Sequence, residues 1–239
     1  MRVPAGRIEA GTESPARVLL VDSDPTFRAG LARAIQAAKT LAVVGQVGSA
    51  EELFNFNNEG IPGAEIALVE IDLPDQSGFE VCQRLLVANP KWKVVLLAYA
   101  DWDIHLLAAH TLHAGGLLLR SQATPALITA LEQAASGPIF SAEQMRRIQT
   151  WKETTGTRLK GLRRREWQVL QLLALGKNNR EIAGQLEISE SMVEKHVSSL
   201  LQKLELVSRV AMINFIHANH LEELGKLPHG EQFLMMLAN

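Results

Sequence analysis

The chain has 239 residues, 47% of them hydrophobic, a length that suits one large domain or two ordinary ones. Its single cysteine, Cys82, excludes an intramolecular disulfide framework, and neither an apolar run of about 18 residues nor a signal pattern occurs. A soluble cytoplasmic protein without a membrane segment is expected. The net charge of −2 hides an asymmetry: residues 16–138 carry 8 basic against 13 acidic side chains, while 159–219 carry 9 against 6, so the two halves suit different partners.

Residues 1–15, rich in Pro, Gly and Ala, are expected to form a disordered tail. From 16 to 138, short apolar runs alternate with longer amphipathic ones, which predicts an α/β domain, a doubly wound five-stranded parallel sheet with helices on both faces. The predicted strands are 17–21, 41–47, 65–69, 93–98 and 116–119, followed by helices at about 25–38, 50–58, 78–89, 103–114 and 124–136. Such sheets bind ligands at the carboxyl ends of their strands. There the sequence places Asp22, Ser23 and Asp24 after the first run, and Glu70 after the third with Asp72 and Asp75 close behind. Ala98 closes the fourth run and Arg120 follows the fifth.

A connector at 139–158, expected to be partly helical, leads into a small all-α domain at 159–219 with helices at about 163–175, 179–186, 190–205 and 208–219. Gly176 reads as a C-cap signal and Ser189 as an N-cap, so two short helices joined by a tight turn form a helix-turn-helix. In the longer helix Val193, Val197, Leu200, Leu201 and Leu204 make an apolar stripe that must face the domain core. The opposite face presents Ser191, Glu194, Lys195, Ser198 and Gln202 to the major groove of double-stranded DNA, with Met192 beside them as a candidate thymine contact or packing residue. Asn179 and Arg180 stand where a preceding helix could hold phosphate. Residues 220–239 form an extension whose apolar "FLMML" could dock on the first domain, meet a second subunit, or fray.

Over about 120 residues the stretches "LLVDSDPTFRAGL" (19–31), "LVEIDLPDQSGFE" (68–80) and "HAGGLLLRS" (113–121) make the first half resemble the receiver domain of bacterial two-component response regulators, with its flavodoxin-like fold. The resemblance implies an acidic pair for a divalent cation at Asp22 and Ser23, a phosphoacceptor at Glu70, a hydroxyl at Ala98 and a lysine at Arg120. Only Asp22 matches, and Leu117 replaces the family's switch aromatic. Octahedral Mg²⁺ and phosphoryl transfer both demand tight positioning, so the expectation is a degenerate, atypical pseudo-receiver. Arg120, with its planar fork, could hold Glu70 as a permanent lock, or both could have drifted into solvent. No catalytic set, cofactor or metal site is expected: His105, His110 and His113 lack zinc spacing, and Cys82 reads as core.

The string "LRRREWQVLQLLALGKNNREIAGQLEISESMVEKHVSSLLQKLELVSRVAMINF" (162–215) resembles the LuxR-type DNA-binding domain, and the two halves together look like a NarL/FixJ-type response regulator. Glu194 stands where that family commonly has lysine, and Arg163-Arg164 replace its Thr-Pro helix start, removing a capping oxygen. His196 reads as structural more than base-reading, and Trp151 and Trp167 as packing residues. The leading expectation is a transcriptional regulator, not an enzyme, that works as a homodimer through a partner or small ligand at the receiver-like domain and not through aspartyl phosphorylation. The alternatives are an interaction module that modulates another regulator without reading DNA, and an orthodox phosphotransfer switch using Glu70 or Asp72.

Overall fold

The computed structural model describes residues 14–59 and 63–227, with 56–59 described by backbone only. Most of the predicted N-terminal tail and the "FLMML" segment lie outside the described residues. The first half folds as predicted: β1 (Ala16–Val21), β2 (Leu41–Val47), β3 (Ile66–Glu70), β4 (Lys93–Ala98) and β5 (Gly116–Leu119) make one parallel sheet in the order β2-β1-β3-β4-β5. The strand order reverses between β1 and β3, so the crevice that binds ligands in such sheets opens at the tips of those two strands. The third strand runs one residue further than the pattern predicts, because Glu70 pairs opposite Leu97 and is buried with the rest of β3.

Two apolar layers cover the sheet. Leu31 and Ile35 of α1 (Pro25–Ala38) and Leu127 and Leu131 of α5 (Thr124–Ser136) pack over Val18 and Leu20. On the other face, α2 (Ala50–Glu59), α3 (Gly78–Ala88) and α4 (Asp103–Thr111) pack over Leu19, Val69 and Leu96. Asp24 caps α1 by accepting from the amides of Thr26 and Phe27, with Pro25 in the first turn where its missing N–H costs nothing. A close approach fixes Gly78: a Cβ there would lie 2.1 Å from the Glu70 carbonyl oxygen, so the helix can begin against the β3 tip only with glycine. Helix α4 is shorter than predicted, because His113 turns the chain into β5 in the left-handed conformation (φ 60°). Its residues Ile104 to Ala109 are all buried, which a one-sided surface helix would not allow; α4 is covered from outside.

What covers it is the connector. α6 (Ala142–Trp151), started by a Ser141–Gln144 capping box, runs through a π turn at Lys152–Gly156 into α7 (Thr157–Leu159), so the chain is helical almost throughout the predicted linker. α8 (Arg164–Ala174), α9 (Asn179–Leu186), α10 (Glu190–Lys203) and α11 (Arg209–Ala218) follow within two residues of their predicted bounds. Gly176 (φ 75°) ends α8, and Ser189 caps α10 by accepting from the Met192 amide. A short 3₁₀ helix, Leu221–Lys226, returns to the receiver. One apolar core therefore runs from the sheet through α4, Ile148 and Trp151 of the connector into Trp167, Leu200 and Leu224.

Candidate functional site

At the tips of β1 and β3 four charged side chains close on one another. Glu70 is 2% exposed, and its Oε2 accepts from both the Ser23 amide and the Ser23 hydroxyl, each at 2.7 Å. Arg120, following β5, puts Nη1 on Asp22 Oδ2 and Nη2 on Asp24 Oδ2 at 2.9 Å, while Nη1 reaches Glu70 Oε1 at 3.4 Å. Its guanidinium lies over the Phe27 ring, 4.0 Å from the centroid, and beside Tyr99 at 5.0 Å. Burial and the adjoining Glu70 carboxylate hold Asp22 above the usual aspartate range, although the Asp24 amide and Arg120 pull it down. The Phe27 amide, helped by that of Thr26 and by Arg120, holds Asp24 below the usual range.

These distances correct the expected bidentate Arg120–Glu70 lock. The fork spans the two aspartates of the β1 tip and touches Glu70 by one long contact, because Ser23 has already engaged the other glutamate oxygen. Neither residue has drifted into water. Asp24, which the sequence placed beside Asp22 at the β1 tip, joins the network, and Phe27 and Tyr99, which sequence reasoning did not place in this set, complete it. Ala98, buried under the network, brings no hydroxyl, and its carbonyl accepts from the Arg120 amide at 2.8 Å.

The remaining acids are occupied elsewhere: Asp75 accepts from the Ala50 and Glu51 amides at the start of α2, and Asp72 meets Lys226 at 2.7 Å. No three acidic, histidine or cysteine side chains converge as a metal site among the described residues. Cys82 is fully buried, and burial pushes its thiol up to about 12, outside nucleophilic use.

In the second domain the predicted faces of α10 are observed. Val193, Leu200 and Leu204 are buried and Val197 and Leu201 half-buried, while Ser191, Met192, Glu194, Lys195, Ser198 and Gln202 are exposed together on the other side. Met192, 40% exposed, joins that open face. Glu166 anchors the helix from below, accepting from Ser199 Oγ and Lys203 Nζ at 2.6 Å each. Its other role is to receive the Arg163 amide at 2.6 Å, which satisfies the backbone N–H of the residue that precedes α8. Arg180 is exposed, but Asn179 is half-buried and its Oδ1 accepts from Arg209 at 2.8 Å, so Asn179 positions α11 before it can meet phosphate.

Comparison with known proteins separates the same two units. Residues 18–132 match the family model of the response regulator receiver domain, and 160–216 that of bacterial regulatory proteins of the luxR family. The nitrate/nitrite response regulator protein NarL of Escherichia coli K12 is 29% identical over 210 residues, covering 86% of this chain and 96% of NarL. The uncharacterized transcriptional regulatory protein YxjL of Bacillus subtilis is 30% identical over 210 residues, covering 85% of this chain and 95% of YxjL. The chain belongs to the NarL/FixJ-type response regulators. Among solved structures, the RcsB response regulator of Salmonella typhimurium shares the fold with a TM-score of 0.60 at 20% identity, over 84% of this chain and 99% of RcsB.

This response regulator carries a contact between its domains that the sequence announced only as a tail. In the 3₁₀ helix, Leu221, Leu224 and Leu227 are buried at a spacing of three, the period of that helix. Glu223 Oε2 reaches His105 Nε2 of α4 at 3.1 Å, and the same carboxylate meets Lys226, which also holds Asp72 just beyond β3. His105 Nδ1 is buried without a partner, so Nε2 is the ring nitrogen that donates, to Glu223. Trp102 stacks on His220 with centroids 4.3 Å apart, and Arg147 of α6 forks onto Asp101 and Asp103 at 2.6–2.7 Å. No helix of the described residues is long and apolar enough to cross a membrane.

Proposed function

We propose that this response regulator is a cytoplasmic transcription factor that reads double-stranded DNA through α10 as a homodimer and is controlled by a partner or small ligand, not by aspartyl phosphorylation. The observation that carries the reading is the strand-tip network: the acceptor position holds a glutamate that is 2% exposed, with one oxygen taken by Ser23 and the other facing Arg120. A phosphoryl donor needs an in-line path to a free carboxylate oxygen and a cation to neutralise charge, and Arg120 fills that place from the protein side. Incubation with acetyl phosphate and Mg²⁺ is expected to leave the intact mass unchanged. Gain of one phosphoryl group on Glu70 or Asp72 would overturn the reading in favour of an orthodox switch.

For DNA, the site residues are Arg180, Ser191, Met192, Glu194, Lys195, Ser198 and Gln202, with Asn179 acting through Arg209. Dimeric binding to spaced half-sites suits a domain whose own basic excess is small; structures of RcsB include two dimers bound to two parallel DNAs. The exposed Glu194 is the feature that favours the interaction-module alternative, since it turns a carboxylate toward the groove. Glu194→Lys separates the two. It is expected to tighten binding to mixed-sequence duplex about tenfold near 0.1 M salt and to steepen the salt dependence by about one phosphate contact, read by fluorescence anisotropy. Unchanged affinity would place this face away from DNA and promote the alternative.

A further inference from the structure

Where the connector crosses the end of α4, the two leave a cavity of about 680 Å³, within the range of sites that enclose drug-sized ligands. Its apolar wall is Phe140, Met145 and Ala114. Its ionisable groups are all basic: His110 at the end of α4, His113 in the left-handed turn before β5, and Lys152 at the start of the π turn; Thr111 adds a neutral polar side chain. No acidic side chain is among the described residues lining it, and Lys152 makes no ion pair with a carboxylate among the described residues. His110 packs edge-on to Phe140, with ring centroids 5.7 Å apart.

We propose that this cavity binds an amphipathic organic anion, an aromatic or branched carboxylate whose body lies on Phe140 and Met145 and whose carboxylate is shared by Lys152, His113 and His110. An inorganic phosphate would leave the apolar wall uncovered, and a neutral hydrocarbon would leave three basic groups converging without a counter-charge. Burial lowers the His110 pKa, and the neighbouring Lys152 and His113 lower it further, so a carboxylate bound beside these groups would oppose that shift. The receiver supplies the histidines and the connector supplies Lys152 and Met145, so a bound acid fastens α6 to α4 and stabilises the docked arrangement. This deepens the ligand-controlled reading given above and rests on it for its regulatory consequence alone; the binding itself is independent of DNA.

The probe is 2-naphthoate, titrated calorimetrically into the full-length protein at neutral pH against its neutral isostere 2-naphthamide. One molecule of naphthoate per chain is expected to bind, with the amide weaker by about tenfold or more, as loss of a charge-assisted contact demands. Lys152→Gln and His113→Gln, both at accessible positions, are expected to retain the native circular dichroism and to erase most of the preference for the acid. Absence of binding, equal affinity for acid and amide, or undiminished preference in both variants would overturn the proposal. Parallel DNA retention without either compound keeps the two readings apart: loss of naphthoate binding with DNA binding intact removes the ligand site only.

Discussion

Replacing Arg120 with methionine is expected to destabilise the receiver by about 3–5 kcal/mol, the cost typical of removing one partner from a buried ionic set. Arg120 is 10% exposed at its side chain and is the cation that faces Asp22, Asp24 and Glu70 together. Methionine fills much of the same volume but leaves Asp22 and Glu70 as adjacent buried carboxylates. Lysine should recover only part of the loss, because one ammonium cannot span Asp22 and Asp24 as a planar fork does. The pH dependence follows from Asp22, whose pKa burial and Glu70 raise above the usual aspartate value. A group raised in the folded state is best tolerated below its unfolded pKa, and its favourable contribution is lost as pH rises through the folded value. Without Arg120 that penalty grows, so Arg120→Met should lose more stability at pH 8 than at pH 5, and adding Asp22→Asn should restore part of it. Urea denaturation followed by circular dichroism checks each point. A loss under about 1 kcal/mol that is flat with pH would mean that the network is solvated and holds nothing in place.

The parts legible in the sequence are those in which burial repeats with the period of the element. The β3 run from Ile66 to Val69, the α1 positions Leu31 and Ile35, and the stripe from Val193 to Leu204 on α10 each report a local pattern, and each lies where the pattern puts it. Helix ends were legible where a capping residue marks them, the Ser189 hydroxyl at the start of α10 and the left-handed backbone of Gly176 after α8. Choice among charged partners was not legible. Arg120 had three carboxylates within reach, and the outcome turned on the Ser23 hydroxyl taking one oxygen of Glu70, a contact between residues 47 apart in sequence. The same holds for Asn179, which the helix start offers to phosphate but which Arg209, 30 residues on, engages first. The extension was half legible: Leu221, Leu224 and Leu227 repeat every three residues, a 3₁₀ signal too short to stand out beside the longer "FLMML" run. Six consecutive buried residues in α4 were the complementary sign that something must cover that helix.

Leu224→Ala is expected to cost about 2–5 kcal/mol, the range for truncating a fully buried leucine, and to spend that loss on the contact between the domains. Leu224 lies in the 3₁₀ helix that joins α8 to α4, so removing it loosens both supports of the docked arrangement. The two domains should then melt as separate transitions, and small-angle scattering should report a larger radius of gyration than for the wild type. Glu223→Ala is a gentler probe of the same contact: it leaves the His105 Nε2 proton buried without an acceptor and frees Lys226 from one of its two carboxylates. The pH range of the contact is set by those groups. Burial raises the Glu223 pKa, but His105 and Lys226 outweigh it and the net shift is downward, so its contribution is present above the ordinary glutamate range and lost as pH falls through the lowered value. Lys226 is shifted upward, burial being outweighed by Asp72 and Glu223, so its contribution persists until pH rises through a value above the ordinary lysine range. The wild type should therefore stay compact across neutral pH and expand at either extreme, and Glu223→Ala should remove the acid limb of that profile. Because Lys226 grips Asp72 two residues past Glu70, the contact also ties the strand-tip network to the DNA-reading domain, and a change in either should be felt by the other. An Arg120→Met chain whose radius of gyration rises together with its loss of stability would reveal that tie directly, whereas an unchanged radius would restrict the network's role to the receiver.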